Sequence, residues 1–376
     1  MRSHYRRIGD YVTQVKLKNT DGTVSSLKGI NINKHFMPSV ANVNGTDLST
    51  YKVVKKNQFA FNPMHVGRDE VLPISMLEDD GPIIVSPAYV VFKVKDEEEL
   101  LPAYLMIWCR RSEFDRNAWF MTDNSVRGGF SWVDFCNMEL PVPPIEKQRE
   151  IVREYNVVND RISLNKKLMT GLEKSAFVLF EEYFPIHGHE IETQHTTLEY
   201  LISFNPKHTI KKNAATTYIE MAYVSENSMA IDNLVVRPFT AGSKFKNNDT
   251  LLARITPCLE NGKTAFVNIL SEDEVAYGST EFIVMRSKGV VSPFWIYCLA
   301  KNENFRSYAI SSMVGSSGRQ RVHSDYLKDY RIDTNALERM SDFHRLVAPL
   351  FKFIANKHME NQKLQEIREL LLKKAE

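Results

Sequence analysis

Several stretches of this sequence carry residue types that could act on a substrate, and each falls short of a working site. The glycine clusters Gly128-Gly129 and Gly315-Ser316-Ser317-Gly318 could cradle a phosphate. Both lack the following lysine and the strand–loop–helix setting through which such loops bind their ligand. Asn62-Pro63-Met64 opens like the Asn-Pro-Pro-aromatic tetrad of amino-methyltransferases. The second proline and the aromatic residue are missing, and no glycine-rich loop for S-adenosylmethionine accompanies it. Glu260-Asn261-Gly262-Lys263 resembles half of a nuclease motif with the lysine one residue too far along, and no aspartate in the right context precedes it. His187, His189 or His195 could serve as a base, but Ser203 and Ser225 lack the elbow that presents a nucleophile. Histidines clustered in a polar connector read as solvated loop. Cys109, Cys136, Cys258 and Cys298 are far apart, with no pair at metal-ligand spacing, and read as reduced cytosolic thiols. The expectation is a chain with no catalytic centre and no bound cofactor or metal of its own.

The elements that would carry a binding surface are written twice. Offset by about 192 residues, the same landmarks recur in order. Ser86–Lys93 lies over Ser279–Arg286, Leu101–Leu105 over Ser292–Ile296, and Lys55–Ala60 over Lys246–Leu251. Asp134-Phe135 matches Asp325-Tyr326. In each half a mixed strand-and-loop region precedes a long helix. The patterning predicts strands over 58–62, 83–85 and 90–95, then over 250–254, 264–268 and 281–286. Helices are expected over 101–111 and 293–305, each with proline in its first turn.

Pro141-Val142-Pro143-Pro144 ends the first mixed region, since proline continues neither a ladder nor a helix interior. After it, Ile151, Tyr155, Val158, Ile162, Asn165, Met169, Leu172, Ala176, Leu179 and Tyr183 form a seam spaced by threes and fours, a coiled-coil pattern. The second copy offers Phe343, Leu346, Leu350, Phe353, Lys357, Glu360, Leu364, Ile367 and Leu371, with Pro349 marking a kink or the true helix start. Asn165, Lys357 and Glu360 read as register-setting or partner-facing seam residues rather than ligands. Each helix would reach roughly 55 Å at ~1.5 Å per residue, more than a head of this size needs for its own core. The natural partner of each is the other, packed antiparallel.

Composition sets loose bounds. A chain of 376 residues with 43% hydrophobic and 25% charged residues has room for two globular domains. The apolar run 83–94 is interrupted and far too short for a membrane span. The start, Met1-Arg2-Ser3-His4-Tyr5-Arg6-Arg7, has no apolar core behind its charges and does not read as a secretory signal. A formal net charge of +2 permits nucleic-acid binding without arguing for it.

Five strings, in order, carry a family resemblance. Asn248–Lys263 (Asn-Asp-Thr-Leu-Leu-Ala-Arg-Ile-Thr-Pro-Cys-Leu-Glu-Asn-Gly-Lys), Ser279–Val284 and Gly315–Val322 resemble the specificity subunits of type I restriction–modification systems. Pro141–Val152 resembles that family's entry into its first conserved helix, and Pro349-Leu350-Phe351 with Glu360–Leu364 the second. The first half departs from the pattern: Val126-Arg127-Gly128-Gly129 only loosely echoes 317–320, and no Arg-Ile-Thr-Pro counterpart follows Phe61. The resemblance implies an α+β fold in which two pseudo-symmetric target-recognition domains are separated by a long antiparallel two-helix coiled coil. The boundaries it gives are recognition domains at 1–143 and 185–335 and spacer helices at 144–184 and 336–376. It implies a non-catalytic, cytoplasmic DNA-specificity subunit bound to two adenine methyltransferase subunits and to restriction subunits. S-adenosylmethionine, ATP and Mg would be used by those partners.

Reading a base pair takes side chains that fork hydrogen bonds to base edges, worth ~1–3 kcal/mol each. Arg319, Gln320 and Arg321 suit that role, and the Ser316-Ser317-Gly318 loop before them would let backbone approach phosphate. Arg254, Lys263, Lys244 and Lys246 read as phosphate contacts, whereas the basic run Lys207, His208, Lys211, Lys212 reads first as a solvated surface run, with phosphate contact as the alternative. In the first half the corresponding choices are Lys55, Lys56, His65, Arg68, Arg110, Arg111, Arg116 and Arg127. Trp108 and Trp119 read as core. Two alternatives use the same residues: a component or remnant of a fused restriction–methylation enzyme, which would itself bind S-adenosylmethionine, and a coiled-coil adaptor whose two heads bind proteins.

Overall fold

The computed structural model describes residues 5–39, 45–64, 66, 70–122, 129–185, 194–231, 233–316 and 318–374. His65, Arg68, Arg127, His187, His189 and Ser317 lie outside the described residues. The chain divides into two compact units, Met1–Arg161 with Leu364–Glu376, and Ile162–Lys363.

The first unit contains β1 (Tyr5–Arg7), α1 (Ile8–Tyr11), β2 (Val12–Gln14), β3 (Lys28–Ile30), β4 (Phe36–Pro38), β5 (Lys52–Val54), β6 (Phe59–Phe61), β7 (Ile74–Met76), β8 (Ile83–Val85) and β9 (Val90–Val94). Then come α2 (Pro102–Cys109), α3 (Ser112–Phe120), α4 (Trp132–Asn137), β10 (Glu139–Pro141) and the first turns of α5 (Ile145–Tyr183). Its main sheet runs β2-β9-β6-β7, antiparallel throughout. Strand β6 is buried on both faces, and its period of two sends successive side chains into different cores. Phe59 and Phe61 enter a large core with Phe92, Tyr104 and Phe135, while Ala60 faces a smaller one with Val54, Val85 and Val91. Ile151 and Tyr155 of α5 complete the large core. Gln148 on the same helix is fully buried. Its Oε1 accepts Leu101 N–H, just before α2, and its Nε2 donates to the carbonyls of Glu99 and Pro143, all at 2.9 Å.

The second unit contains β11 (His195–Thr197), α6 (Leu198–Leu201), β12 (Ile202–Phe204), β13 (Ala215–Ile219), β14 (Val235–Pro238), β15 (Ser243–Phe245), β16 (Thr250–Ala253), β17 (Thr264–Phe266), β18 (Ala276–Gly278) and β19 (Phe282–Ser287). It continues with α7 (Pro293–Lys301), α8 (Glu303–Ser311), α9 (Ser324–Lys328), β20 (Arg331–Asp333), α10 (Thr334–Leu337) and α11 (Met340–Lys374), whose last turns belong to the first unit. The sheet β12-β19-β16-β17 repeats the strand order of the first unit. A second sheet, β14-β13-β18-β15, includes the parallel pair β13–β18. The corresponding part of the first unit holds two-stranded pairs, β3–β4 and β5–β8.

Most expected strands and both proline-started helices are present. The helix expected over 293–305 is two helices, because Asn302 closes α7 and its side chain then accepts Asn304 N–H and Phe305 N–H to cap α8. The long-helix seams differ from expectation. On α5 the expected Ile151, Tyr155, Ile162, Asn165, Met169 and Ala176 are buried and Val158 is half-buried, while Glu173, Phe180 and, just past the helix, Phe184 join the buried stripe and leave Leu172, Leu179 and Tyr183 half-buried. On α11 the buried residues are Met340, Phe343, Val347, Phe351, Ile354, Asn361 and Leu372, while Leu346, Phe353 and Ile367 are exposed. A straight helix drifts ~20° per heptad from a strict seven-residue repeat, and packing on a globular core widens the apolar face. Lys357 and Glu360 pair with each other at 2.6 Å instead of forming the polar step of the seam. That step is Asn361, whose Oδ1 accepts Asn165 Nδ2 at 3.0 Å. In the same unit Phe180 and Phe184 meet Phe343, with ring centroids 6.2 Å and 5.2 Å apart. Pro349 neither starts nor ends α11, which begins at Met340 and runs through it. Trp108 is core at 5% exposure, but Trp119, at 40%, is not. Among the described residues no helix is long and apolar enough to cross a membrane.

Candidate nucleic-acid interface

In the second unit the three strings 248–263, 279–284 and 315–322 fold onto one another. Val322 N–H donates to Arg254 O at 2.9 Å and Thr256 N–H to Gln320 O at 3.0 Å, while Thr256 Oγ1 accepts Gln320 N–H at 3.1 Å. Arg254 N–H in turn donates to Glu281 O at 2.9 Å. The Arg321 guanidinium forks onto the Glu281 carboxylate, Nε at 3.0 Å and Nη2 at 2.8 Å. Gly315 sits at φ +134°, and a Cβ there would meet Arg319 O at 2.9 Å, so the return of this loop requires glycine. Arg319 N–H closes a turn onto Ser316 O at 2.9 Å, which leaves the Arg319 side chain exposed beside half-buried Gln320.

Before β16, the turn 246–249 passes through Asn248 at φ 69°. Asp249 is fully buried; its carboxylate accepts Lys246 N–H at 2.8 Å and both Nε and Nη2 of Arg286 at 2.6 Å. Lys263 Nζ is held by Met221 O at 3.1 Å, and Lys246 Nζ lies 3.7 Å from Asp273.

Beside this constellation opens a cleft of about 510 Å³, lined among others by Lys207, His208, Ser243, Lys244, Arg254 and Thr280. Its wall at Gly242 is tight: a Cβ there would come within 2.1 Å of Gly278 O. Lys244 Nζ donates to His208 O at 2.8 Å and lies 5.0 Å from the Phe239 ring centre, which fixes the 205–209 loop against β15. Burial, then the positive charge of Arg286, holds the His208 pKa below its usual 6.5, so the ring is neutral at pH 7. His208 Nε2 and Arg254 Nε are buried and without hydrogen-bond partners among the described residues.

The first-unit candidates are less gathered. Lys55 and Lys56 occupy the turn through Asn57, with Lys56 paired to Asp80 at 2.6 Å on the open surface. Arg111 is buried against Glu113, Arg116 pairs with Glu113, and Arg110 lies 3.8 Å from Glu78. Sequence reasoning gave no site role to Glu281 or Thr280, although both stand inside a quoted string. Their role depends on 321 meeting 281, a contact no local pattern reports. The surface offers cations, amides and hydroxyls, with the neighbouring carboxylates Asp249 and Glu281 each taken by an arginine. It is suited to holding an anion. Among the described residues no cluster of His, Cys, Asp and Glu could hold a metal ion.

No family model matches the chain. A segment of 133 residues is 29% identical to the type I restriction enzyme EcoAI specificity subunit of Escherichia coli, covering 34% of this chain and 22% of that protein. A segment of 142 residues is 27% identical to the EcoEI specificity subunit of the same organism, covering 36% of this chain and 24% of the relative. The matched segments thus span less than a quarter of either relative's length. The crystal structure of the type I restriction–modification system S subunit from M. genitalium is similar over 99% of this chain and 95% of its own, at 13% identity and a TM-score of 0.56. The chain is therefore similar in sequence to type I specificity subunits and shares the fold of one.

Proposed function

We propose that this chain is the DNA-specificity subunit of a type I restriction–modification complex. Residues 1–143 and 185–335 are its two target-recognition domains, each reading half of a split, asymmetric site, and 144–184 and 336–376 are the helices that set the gap. The observation that carries the reading is the convergence, in the second unit, of three family-like strings around one cationic surface. Exposed Arg319 and half-buried Gln320 beside it act as the base readers, and Ser316, Ser317 and Gly318 are the loop for backbone contact with phosphate. Arg254 and Lys244 line the adjoining cleft, Lys246 and Lys263 serve as further phosphate contacts, and Arg321 holds the loop through Glu281. In the first domain Lys55, Lys56, His65, Arg68 and Arg127 take the corresponding part.

The pairing of Asn165 with Asn361 and of Phe180 with Phe343 supports an antiparallel coiled coil, since one number rises as the other falls. Such a pair is a ruler on which two methyltransferase subunits dock, with restriction subunits joining them. The partners use S-adenosylmethionine, ATP and Mg, and the complex works in the cytoplasm. One helical turn is ~5.4 Å and a base pair ~3.4 Å, so adding one turn to both helices lengthens the gap by one or two base pairs. The test is to map methylated adenines in host DNA with this chain present and deleted. Loss of a single split motif on deletion is expected; an unchanged methylation pattern in an active host overturns the reading.

A further inference from the structure

We propose that the cleft between the 205–209 loop and Ser243-Lys244 is a phosphodiester seat, taking one backbone phosphate of the bound duplex on Arg254 and His208. The inference rests on the reading of the chain as a DNA-specificity subunit and assigns one site within it. Lys207, Lys244 and Arg254 line the cleft, and no carboxylate does. The nearest acids are spent: Asp249 is held by Arg286 and Glu281 by Arg321. The potential inside is thus set by cations, partly walled off from water, where their attraction for an anion is strengthened.

Two residues of its lining, Arg254 and His208, each hold a buried polar atom, Nε and Nε2, without a hydrogen-bond partner among the described residues. A buried polar group without a partner is costly, and rotation of these side chains toward a phosphate bound in the cleft would give each a partner. The Lys244 bridge to His208 O holds the backbone of that loop in place before any ligand arrives. A phosphate oxygen fits this wall because it is charged and accepts from every side. A base edge is neutral and gains little from three surrounding cations.

The experiment titrates the full chain against two duplexes, one carrying the mapped methylation motif and one scrambled, over a range of salt. Arg254→Gln is expected to weaken both duplexes alike, by roughly tenfold, and to lower the slope of log affinity against log salt by about 1. Lys207→Ala, on an exposed side chain, is expected to lower the slope without disturbing the packed wall, which guards against misfolding of the first variant. A methylphosphonate at one backbone position should reproduce the Arg254→Gln loss and add nothing to it. If inorganic phosphate competes but no methylphosphonate position matters, the seat takes free phosphate and the proposal fails. A loss confined to the motif duplex makes Arg254 a base reader, and unchanged salt slopes in both variants leave the cleft unused; either overturns the seat. Absence of any methylation motif that depends on this chain removes the DNA reading itself, and the seat with it, whereas failure of the unaltered chain to bind the mapped duplex overturns the seat alone.

Discussion

Ahead of β6 the first unit turns through Asn57 at φ 62°, and Gln58 Oε1 accepts Lys55 N–H at 3.0 Å. Ahead of β16 the second unit turns through Asn248 at φ 69°, and Asp249 Oδ2 accepts Lys246 N–H at 2.8 Å. Both use asparagine where the backbone must be left-handed, and both close with a side-chain oxygen. The chemistry of that oxygen differs. A neutral amide finishes the first turn locally, and Lys93, which aligns with Arg286, stays exposed. A buried carboxylate finishes the second and requires Arg286 from β19 to neutralise it. The two turns share a backbone task and differ in charge. In the second unit that charge lies beneath the cationic cleft, where Arg286 also helps keep His208 neutral.

The comparison breaks most sharply at this turn. Asp249→Ala strands Arg286 and should cost the second unit ~3–5 kcal/mol, whereas Gln58→Ala should cost the first about 1 kcal/mol. Hydrogen-exchange protection of β16 and β6, followed separately, reads the two, and equal losses would refute the contrast. Importing the first unit's chemistry as Asp249→Gln with Arg286→Lys should recover much of the stability lost in Asp249→Ala. The start of the helix after the sheet offers a smaller contrast. Gln148→Ala leaves Leu101 N–H and two carbonyls without partners, for ~2–3 kcal/mol. In the second unit Ser292 caps α7 itself, accepting Phe294 N–H at 3.3 Å, with its hydroxyl 2.9 Å from His344 Nδ1. Ser292→Ala should therefore cost only ~1 kcal/mol, measured as exchange in α7 against α2.

The smallest effect concerns pH. Glu173, buried on α5, accepts Met229 N–H at 3.3 Å and the Tyr297 hydroxyl, and burial raises its pKa above 4.5. An acid whose folded pKa is raised contributes stability that is full below 4.5 and is lost as pH rises through the folded value. Glu173→Gln removes that titration, so the variant should gain on the original chain in thermal melts taken from pH 4.5 upward. A gap between the two that stays constant with pH would contradict the assignment. Gln148, the buried polar residue of α5 in the first unit, has no charge to titrate.

Much of this was legible because it is local. Strands such as Ile83–Val85 and Val90–Val94, prolines at helix starts and the recurrence of the same landmarks in the second half follow from period, propensity and turn residues. The second sheet of unit 2 was not legible. β13 reads Ala-Thr-Thr-Tyr-Ile with a single buried residue, and its parallel partner β18 lies far along the chain. The α11 seam was misread by a residue because Leu346, Phe353 and Ile367 are apolar yet face outward, and side-chain polarity alone cannot say which of two adjacent stripes packs. Within the candidate site the cations were legible as residue types. Which of them are engaged was not, because Arg321 meets Glu281 and Lys244 meets His208 O only through the fold.

Gln148 also bears on how such a chain could be recombined. The proline run at 141–144 looks like the natural seam for cutting the first head away, yet the amide that finishes this head's own loop lies beyond it, on the helix. A chimaera joined at the prolines would inherit a head from one parent and its keystone from another. Moving the junction past residue 148 carries the two together, whereas the second head brings its Ser292 cap wherever it goes.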